Sequence, residues 1–557
     1  MKNYYLTIFS VFLTTVIFAQ ERVKKIEFYG GARTNILFQD LADDSDTLNI
    51  QKANYGHSLI DLGILIRPSN DTEIITELRM RNELGGFYGS AVTFGLRRLT
   101  LKGVINNAIR YKIGDIDLKL TPYTLYNNDY QDRVNEANVF RTAREVVDYE
   151  NFFGDNTWRR QGMETEFALD LTNDNFKSID FRLFSTRSNP SNTAINLPER
   201  FYSGGSILLN TSYGTLGFNS ANLHDLKNTV NDNQLYYNYV NSVSVSVPLT
   251  FVKDVTFDLE SGLSSEIFED VILESTQENN GYFWNAGFKY TRSESQLVSL
   301  SSMYTGPYFR SHGAQNIRLD YQSQSGIFPV ITNDQLSREM GLLDYLYNDV
   351  AYRKTFDNKI DVSNPSFSSA LPYGLATPNR TGLAISAKET IWEDRINLST
   401  DVYSLKEILG SGTQELKSFL KVSAMLDANY NKWQLKSGLS FEQTNRDGLS
   451  YEQIDLTSFL VDFGIDFKLT DNISLMYGGK LHMSDGNDLT PLYDNQNQII
   501  YFNNYEVDNQ SQTLNALGIN VNFSEKSKLT ISYNSFVQYH QTKYTVNQFH
   551  VLYRLNL

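Results

Sequence analysis

The sequence predicts an all-β protein: a single transmembrane antiparallel up-and-down β-barrel of about 22 strands (range roughly 18–24). Three observations predict it. Stretches of about ten residues alternate apolar and polar side chains, the period of a strand whose two faces meet different surroundings. Their connectors alternate in length, as when tight periplasmic turns gather at one rim and long external loops at the other. The last residues, "FHVLYRLNL", put Phe549, Val551, Tyr553, Leu555 and Leu557 on one face, with His550, Arg554 and Asn556 between them. A chain ending on such a strand is suited to close a barrel.

Composition narrows the class further. The 557 residues are 41% hydrophobic, with 35 Tyr and 34 Phe, and aromatic side chains favour a pleated surface. A mean hydropathy of −0.37 is unlike a helical membrane protein. The formal charge of −15, with no Lys/Arg-rich block, excludes nonspecific nucleic-acid binding. The absence of cysteine excludes disulfides, thiolate zinc sites, thiol nucleophiles and a lipidated cysteine. Residues 1–19 read as a signal peptide cleaved after Ala19, because the apolar run from Tyr4 to Ala19 is shorter than the roughly 20 residues of a spanning helix. Residues 20–557 then form one outer-membrane domain. Its strand pattern begins by Ile26, leaving no room for the N-terminal plug of a TonB-dependent transporter.

Taken in order, the strands show which face is which. In "TELRMRNE" every second residue is charged. A sheet in hydrocarbon must close so that no backbone group goes unpaired. Ile74, Thr76, Leu78 and Met80 therefore face lipid, and Glu77, Arg79, Arg81 and Glu83 face the lumen. The reverse facing would cost roughly 2–4 kcal/mol for each arginine near the bilayer centre. In "VTFGLRRLTLKG" the parity of Val92, Phe94 and Leu96 differs from that of Leu99 and Leu101. A bulge at Arg97–Arg98 reconciles them and places Arg98 and Lys102 inside. In "AIRYKIGDIDLKL" the outward set changes from Ile109, Tyr111 and Ile113 to Ile116, Leu118 and Leu120. A second bulge is expected at Gly114, with Arg110, Lys112, Asp115, Asp117 and Lys119 inside. Such mixed charges either order water and steer a solute or neutralise one another within a filled wall.

Further along, "VNSVSVSVP" sets Val243, Val245 and Val247 against Ser242, Ser244 and Ser246. "SFLVDFGIDFKL" sets Phe459, Val461, Phe463, Ile465, Phe467 and Leu469 against Asp462, Gly464, Asp466 and Lys468. "LNALGINVNF" and "LTISYNSFVQY" repeat the pattern with Leu517, Ile519, Val521 and Phe523, then Leu529, Ile531 and Tyr533. Tight turns are expected at Pro68–Asp71, Asn106–Asn107, Trp392–Arg395, Thr470–Asn472 and Ser524–Ser527. Long loops are expected near residues 40–53, 127–157, 188–201, 267–280, 305–380 and 485–511. In the longest, about 305–380, Leu336, Met340, Leu343 and Tyr347 have helical spacing behind an N-cap at Thr332 or Asn333. Its aromatics, Tyr308, Phe309, Phe328, Tyr345 and Tyr347, favour a folded insert. The expected placement is inward, as a constriction, rather than over the mouth.

The "FAQ" cleavage region, the Tyr/Asn-rich strands and the final Tyr553-x-Leu555-x-Leu557 resemble the large porin-like outer-membrane barrels of Bacteroidota. "IGDIDLKLTPYTLYNND" and "MYTGPYFRSHGAQNIRLDY" are similar to segments of that group. The resemblance implies residence in the outer membrane, contact with its lipid, and insertion through recognition of the C-terminal strand. It implies no particular substrate.

Catalytic and metal chemistry find little footing. His57 with Asp61, and His482 with Ser484 and Asp485, are too widely spaced along a strand for a ready dyad. No HExxH, GxSxG or P-loop motif occurs. Asp40, Asp43, Asp44 and Asp46 lack the glycine and distal glutamate of a calcium loop. No enzyme activity, metal or cofactor is expected. The leading expectation is a channel for small polar or ionic solutes, lined by Glu77, Arg79, Arg81, Glu83, Arg98, Lys102, Arg110, Lys112, Asp115 and Asp117. Behind it stand a non-conducting barrel that binds protein partners through its loops and, last, an outer-membrane hydrolase.

Overall fold

The computed structural model describes residues 25–43, 51–84, 92–128, 136–151, 157–171, 173, 175–193, 198–230, 234–293, 295–315, 342, 346, 369–392, 395–410, 413–493, 499–540 and 542–557. The signal-peptide expectation and the helix expected after Thr332 lie outside them, apart from Leu342 and Leu346.

Strands β1 to β8 are Ile26–Asp43, Gln51–Ser69, Thr72–Glu83, Val92–Ile105, Ile109–Leu118, Trp158–Asp170, Phe176–Asn189 and Arg200–Thr211. Strands β9 to β15 are Thr215–Asp225, Gln234–Pro248, Val255–Asp270, Ser275–Ser293, Gln296–Thr305, Arg380–Ile391 and Ile396–Lys406. Strands β16 to β22 are Ser418–Tyr430, Trp433–Arg446, Ile454–Lys468, Ile473–Tyr493, Ile499–Ser524, Ser527–His540 and Thr542–Asn556. One helix, α1 (Asn138–Asn151), lies between β5 and β6. All 22 strands form one sheet. Each pairs antiparallel with the next, and β1 closes the circle on β22, from Gly31 opposite Asn556 to Asp43 opposite Tyr544. Closure removes both edges, the requirement hydrocarbon places on a sheet.

The outer face is apolar along every strand examined above: Leu78, Met80, Val243, Phe463, Leu517, Tyr533 and Phe549 are exposed large hydrophobics. Phe28, Tyr213, Phe251, Trp392, Tyr430 and Phe523 sit on or beside the short turns and are more exposed still. They form the aromatic girdle of a bilayer interface. All five expected turns are short, and Asn106 and Asn107 have φ of 51° and 56°, the double positive φ of a tight hairpin.

Two loop expectations are corrected. β11 and β12 run to Asp270 and from Ser275, leaving only a turn where a loop near 267–280 was expected. β19 and β20 run to Tyr493 and from Ile499, so the segment near 485–511 is mostly paired strand. Polar sequence signals water, and a hairpin standing above the bilayer satisfies it as well as a loop does.

Candidate functional site

The site is the inner wall and what lies against it. β4 carries the expected irregularity: Glu77 pairs with Arg98 and Leu78 with Leu96, so Arg97 is the extra residue. The bulge turns Arg97 as well as Arg98 away from the lipid side. Arg97 Nε lies 3.4 Å from Glu77 and 4.0 Å from Asp61.

The bulge expected at Gly114 is absent. β5 stays in register with β6 from Ile109–Phe167 to Leu118–Trp158, whereas its pairing with β4 stops at Thr100–Gly114. Pairing of β6 with β7 likewise stops at Gln161–Arg187. The tip of the β5–β6 ribbon therefore leaves the wall and leans into the barrel. Gly114 permits it with φ of +102°, where an added Cβ would lie 2.1 Å from the Leu99 carbonyl. Ile116 and Leu118, expected to face lipid, are buried with Leu125, Phe184, Tyr202 and Leu223. Asp115 is also corrected. It is buried and accepts from the Leu99 N–H at 2.7 Å, so its carboxylate replaces a strand partner at the freed edge of β4. Gln161 and Arg159 hold its other oxygen.

Three inserts meet inside. Residues 121–128 follow the ribbon and pack Tyr123 on Phe283 at 4.0 Å. Residues 306–315 and 369–379, the two described ends of the long insert, bring Phe309 against Phe283 and Ala376 into the same cluster. Asn128 ties them, donating to the carbonyls of Ala314 (3.1 Å) and Tyr373 (2.9 Å). Ala370 and Leu371 join Met303, Leu405 and Phe419 on the wall.

The third insert is α1, which the sequence analysis passed over as loop. Its signal was present in "NVFRTAREVVDYEN": Val139, Val146 and Tyr149 fall on one side of a helix. Small residues make its seat. A Cβ on Gly464 would lie 2.3 Å from Ala137, and one on Gly478 2.7 Å from Val139 and Phe140. Met476, Leu514, Ala516, Phe536 and Val546 complete this apolar contact, together with Leu342 and Leu346.

Charges fasten both ends of α1. Near its start Glu136 binds Arg144 (2.8 Å) and Lys480 (3.0 Å), and Lys480 also binds Asp462. In its middle Arg554 holds Glu145 at 2.5 Å and the Thr142 carbonyl at 2.9 Å. At its far end Tyr149 donates to Asp61 at 2.5 Å. Asp61 also takes Arg79 through both oxygens at 2.7 Å, and the Arg97 guanidinium lies 3.8 Å over the Tyr149 ring. Burial pushes the Tyr149 phenol up to about 12; Arg97 opposes this and the bond to Asp61 adds to it. The phenol therefore stays a donor at ordinary pH.

The expected lining residues thus divide. Arg79 is locked on Asp61. Glu77 takes Tyr29 as well as Arg97. Arg81 pairs with Glu83 at 2.7 Å, and Arg98 donates to Thr100 at 3.2 Å. Lys102 binds Glu73 at 2.8 Å. Lys112 binds Glu164 at 2.8 Å, and Arg110 is exposed opposite Glu166. Asp117 is half-buried on the leaning ribbon. His57 Nε2 is 3.3 Å from Arg33, and Asp61 serves α1 instead. Among the described residues no group of three or more potential ligands is placed to hold a metal. Asp40 is exposed on β1; Asp44 and Asp46 and the side chain of Asp43 lie outside the description.

A different stretch of wall is only partly covered, with Thr121 and Tyr123 of the first insert reaching Glu260 and Asn285 at its edge. The inner positions of β10 to β13 hold small polar residues around a cavity of about 300 Å³, including Ser244, Ser246, Asp258, Glu260, Asn285 and Ser301. Its acids are held by hydroxyls: Ser242 donates to Glu260 at 2.8 Å and Ser246 to Asp258 at 2.5 Å. On β14 and β15, Ser386 does the same for Asp401 at 2.5 Å. In the sequence these serines are legible only as the polar face of a strand.

No family model matches the chain, and no curated protein matches it. Solved structures similar to it include OccK2 of Pseudomonas aeruginosa, 9% identical with a TM-score of 0.33 over 95% of this chain and 98% of that one. A BenF-like porin from Pseudomonas fluorescens is 8% identical, with a TM-score of 0.35 over 95% and 99%. The copper transporter OprC is 7% identical, with a TM-score of 0.47 over 95% and 80%.

Proposed function

We propose that this protein is an outer-membrane channel for small polar or ionic solutes, exported by its first 19 residues and standing with its short turns in the periplasm. Its outer strand faces contact lipid, and Tyr553 and Leu555 on β22, with Leu557 just after it, are the features the insertion machinery reads. The observation that supports a channel is the serine arc: a closed barrel, apolar outside, whose inner wall keeps a polar cavity beside its packed inserts. A solute passing there exchanges water for serine hydroxyls and asparagine amides. Asp258 and Glu260 outnumber Lys289, the cation in the cavity lining, and with Asp401 they make no ion pair among the described residues, so they favour cations and neutral polar solutes over anions.

A second reading has its own observation. The apolar clusters joining the inserts to the wall are what a sealed barrel would need if it served as a partner-binding subunit of a surface complex. Planar-bilayer recording of the purified protein separates the two. Discrete conductance steps are expected; silence, with other proteins copurifying in fixed ratio, would replace the channel by the subunit. A hydrolytic role has least support, since His57 meets an arginine and Asp61 anchors α1.

A further inference from the structure

At the short-turn rim, beneath α1, lies a second cavity, of about 460 Å³. This is within the usual size range of small-ligand sites. It is bounded by α1 above and by the ends of β16 to β21 around it. Its charged lining is four cations, Arg141, Lys432, Lys468 and Lys528, against two acids, Glu145 and Asp466. In a chain of net charge −15, such a local excess is against the trend.

The two acids are already engaged. Glu145 is shared by Arg141 at 3.1 Å and Arg554 at 2.5 Å. Asp466 accepts from Asn138, whose amide also meets Gln434 at 2.9 Å. The three lysines make no ion pair among the described residues. They come from three separate places in the chain: the β16–β17 turn, the end of β18 and the start of β21. Asn429, Asn431 and Asn522 line the same recess. Three cations converging on one recess repel one another, and a bound anion relieves that repulsion while amides satisfy its remaining lone pairs.

We infer that this recess binds a small anion bearing carboxylate or phosphate oxygens, held by Lys432, Lys468 and Lys528 under α1. It needs only the wall and α1, so it stands apart from conduction through the serine arc.

Calorimetric titration of the full mature protein in neutral detergent tests it, with succinate and inorganic phosphate as probes. At least one is expected to bind at low ionic strength. The triple variant Lys432→Gln, Lys468→Gln, Lys528→Gln should bind it about tenfold more weakly, and Lys253→Gln, at a turn on the opposite arc, should not change it. Circular dichroism and heat-modifiable mobility confirm that each variant is folded; if the triple variant is not, Lys528→Gln alone is compared with Lys528→Arg, which should retain binding. Failure of both probes to bind the wild type, or equal binding by a folded variant, overturns the inference. So does binding only to vesicles containing phosphatidylglycerol, which would make the lysines a lipid-headgroup contact. Bilayer recording on the same samples keeps the two proposals apart: conduction without binding removes the recess alone, and binding without conduction removes the channel alone.

Discussion

Two arcs of one wall use charge in opposite ways. From β1 to β4 and from β18 to β22 the inner face is dense with arginine, lysine and carboxylate, spent on one another or on holding α1: Arg79 on Asp61, Lys480 on Glu136, Arg554 on Glu145. From β10 to β15 part of the inner face packs the inserts on Phe283, Met303 and Leu405, and the rest is serine, glycine and asparagine with Lys289 and a few acids bonded by hydroxyls. The conspicuous charges are structural, and the sparse ones are free to meet a solute. A lumenal charge matters to transport only when no neighbour has already cancelled it.

The largest expected effect breaks the structural arc. Asp61→Ala removes the carboxylate that Arg79 grips through both oxygens and the acceptor of Tyr149, and leaves Arg97 to Glu77 alone among the carboxylates paired with it here. Losing one partner of such a cluster costs about 3–5 kcal/mol. The unfolding midpoint in guanidinium should fall accordingly. A loss below about 1 kcal/mol would mean the cluster is wet and α1 is anchored elsewhere.

The seat of α1 gives the next effect. Gly478→Val places a side chain where Val139 and Phe140 already lie, 2.7 Å from the added Cβ. Overpacking of this kind costs about 1–3 kcal/mol. The helix should lift, seen as faster proteolysis between β5 and β6 and, in a conducting barrel, as a larger unitary conductance. Unchanged proteolysis would show that the seat tolerates the extra volume.

How much of this could be read from sequence follows from the range of each interaction. The barrel was legible because every strand repeats the same two-residue alternation. The Arg97 bulge was legible because two parity runs collide within a few residues. At Gly114 the same parity change had a different cause: the ribbon leaves the wall, and Ile116 faces a packed interior that is as apolar as lipid. Alternation reports what a side chain touches, not which side of the barrel it is on. The locking of the charged row could not be foreseen, since Asp61 and Tyr149 stand 88 residues apart and meet only through α1. Conversely Asp258 and Glu260 were visible but looked ordinary, because which strands bring Lys289 into their cavity without pairing it to them is a property of several strands seen together.

A surface pair on the charged arc gives a smaller effect. Lys102 and Glu73 meet at 2.8 Å but are 42% and 27% exposed, and such pairs contribute about 0–1 kcal/mol. Lys102→Ala should shift the unfolding midpoint barely, and the shift should vanish in high salt. A shift as large as that of Asp61→Ala would erase the distinction between anchoring charges and rim charges.

The smallest effect on stability should accompany the clearest effect on transport. Asp258 accepts one hydroxyl, from Ser246, and Asn keeps an oxygen there, so Asp258→Asn should leave stability within about 0.5 kcal/mol. It removes a charge from a cavity that Lys289 also lines without pairing with Asp258 among the described residues. The reversal potential under a salt gradient should move toward zero, with the cation-over-anion permeability ratio falling about twofold. The same neutralisation on the other arc, Glu83→Gln, acts at a site 43% exposed, where solvent and salt screen the charge of Arg81 that it leaves behind, so the change should be smaller. If Glu83→Gln shifts the ratio more than Asp258→Asn does, ions travel along the charged arc past α1, and the roles given to the two arcs must be exchanged.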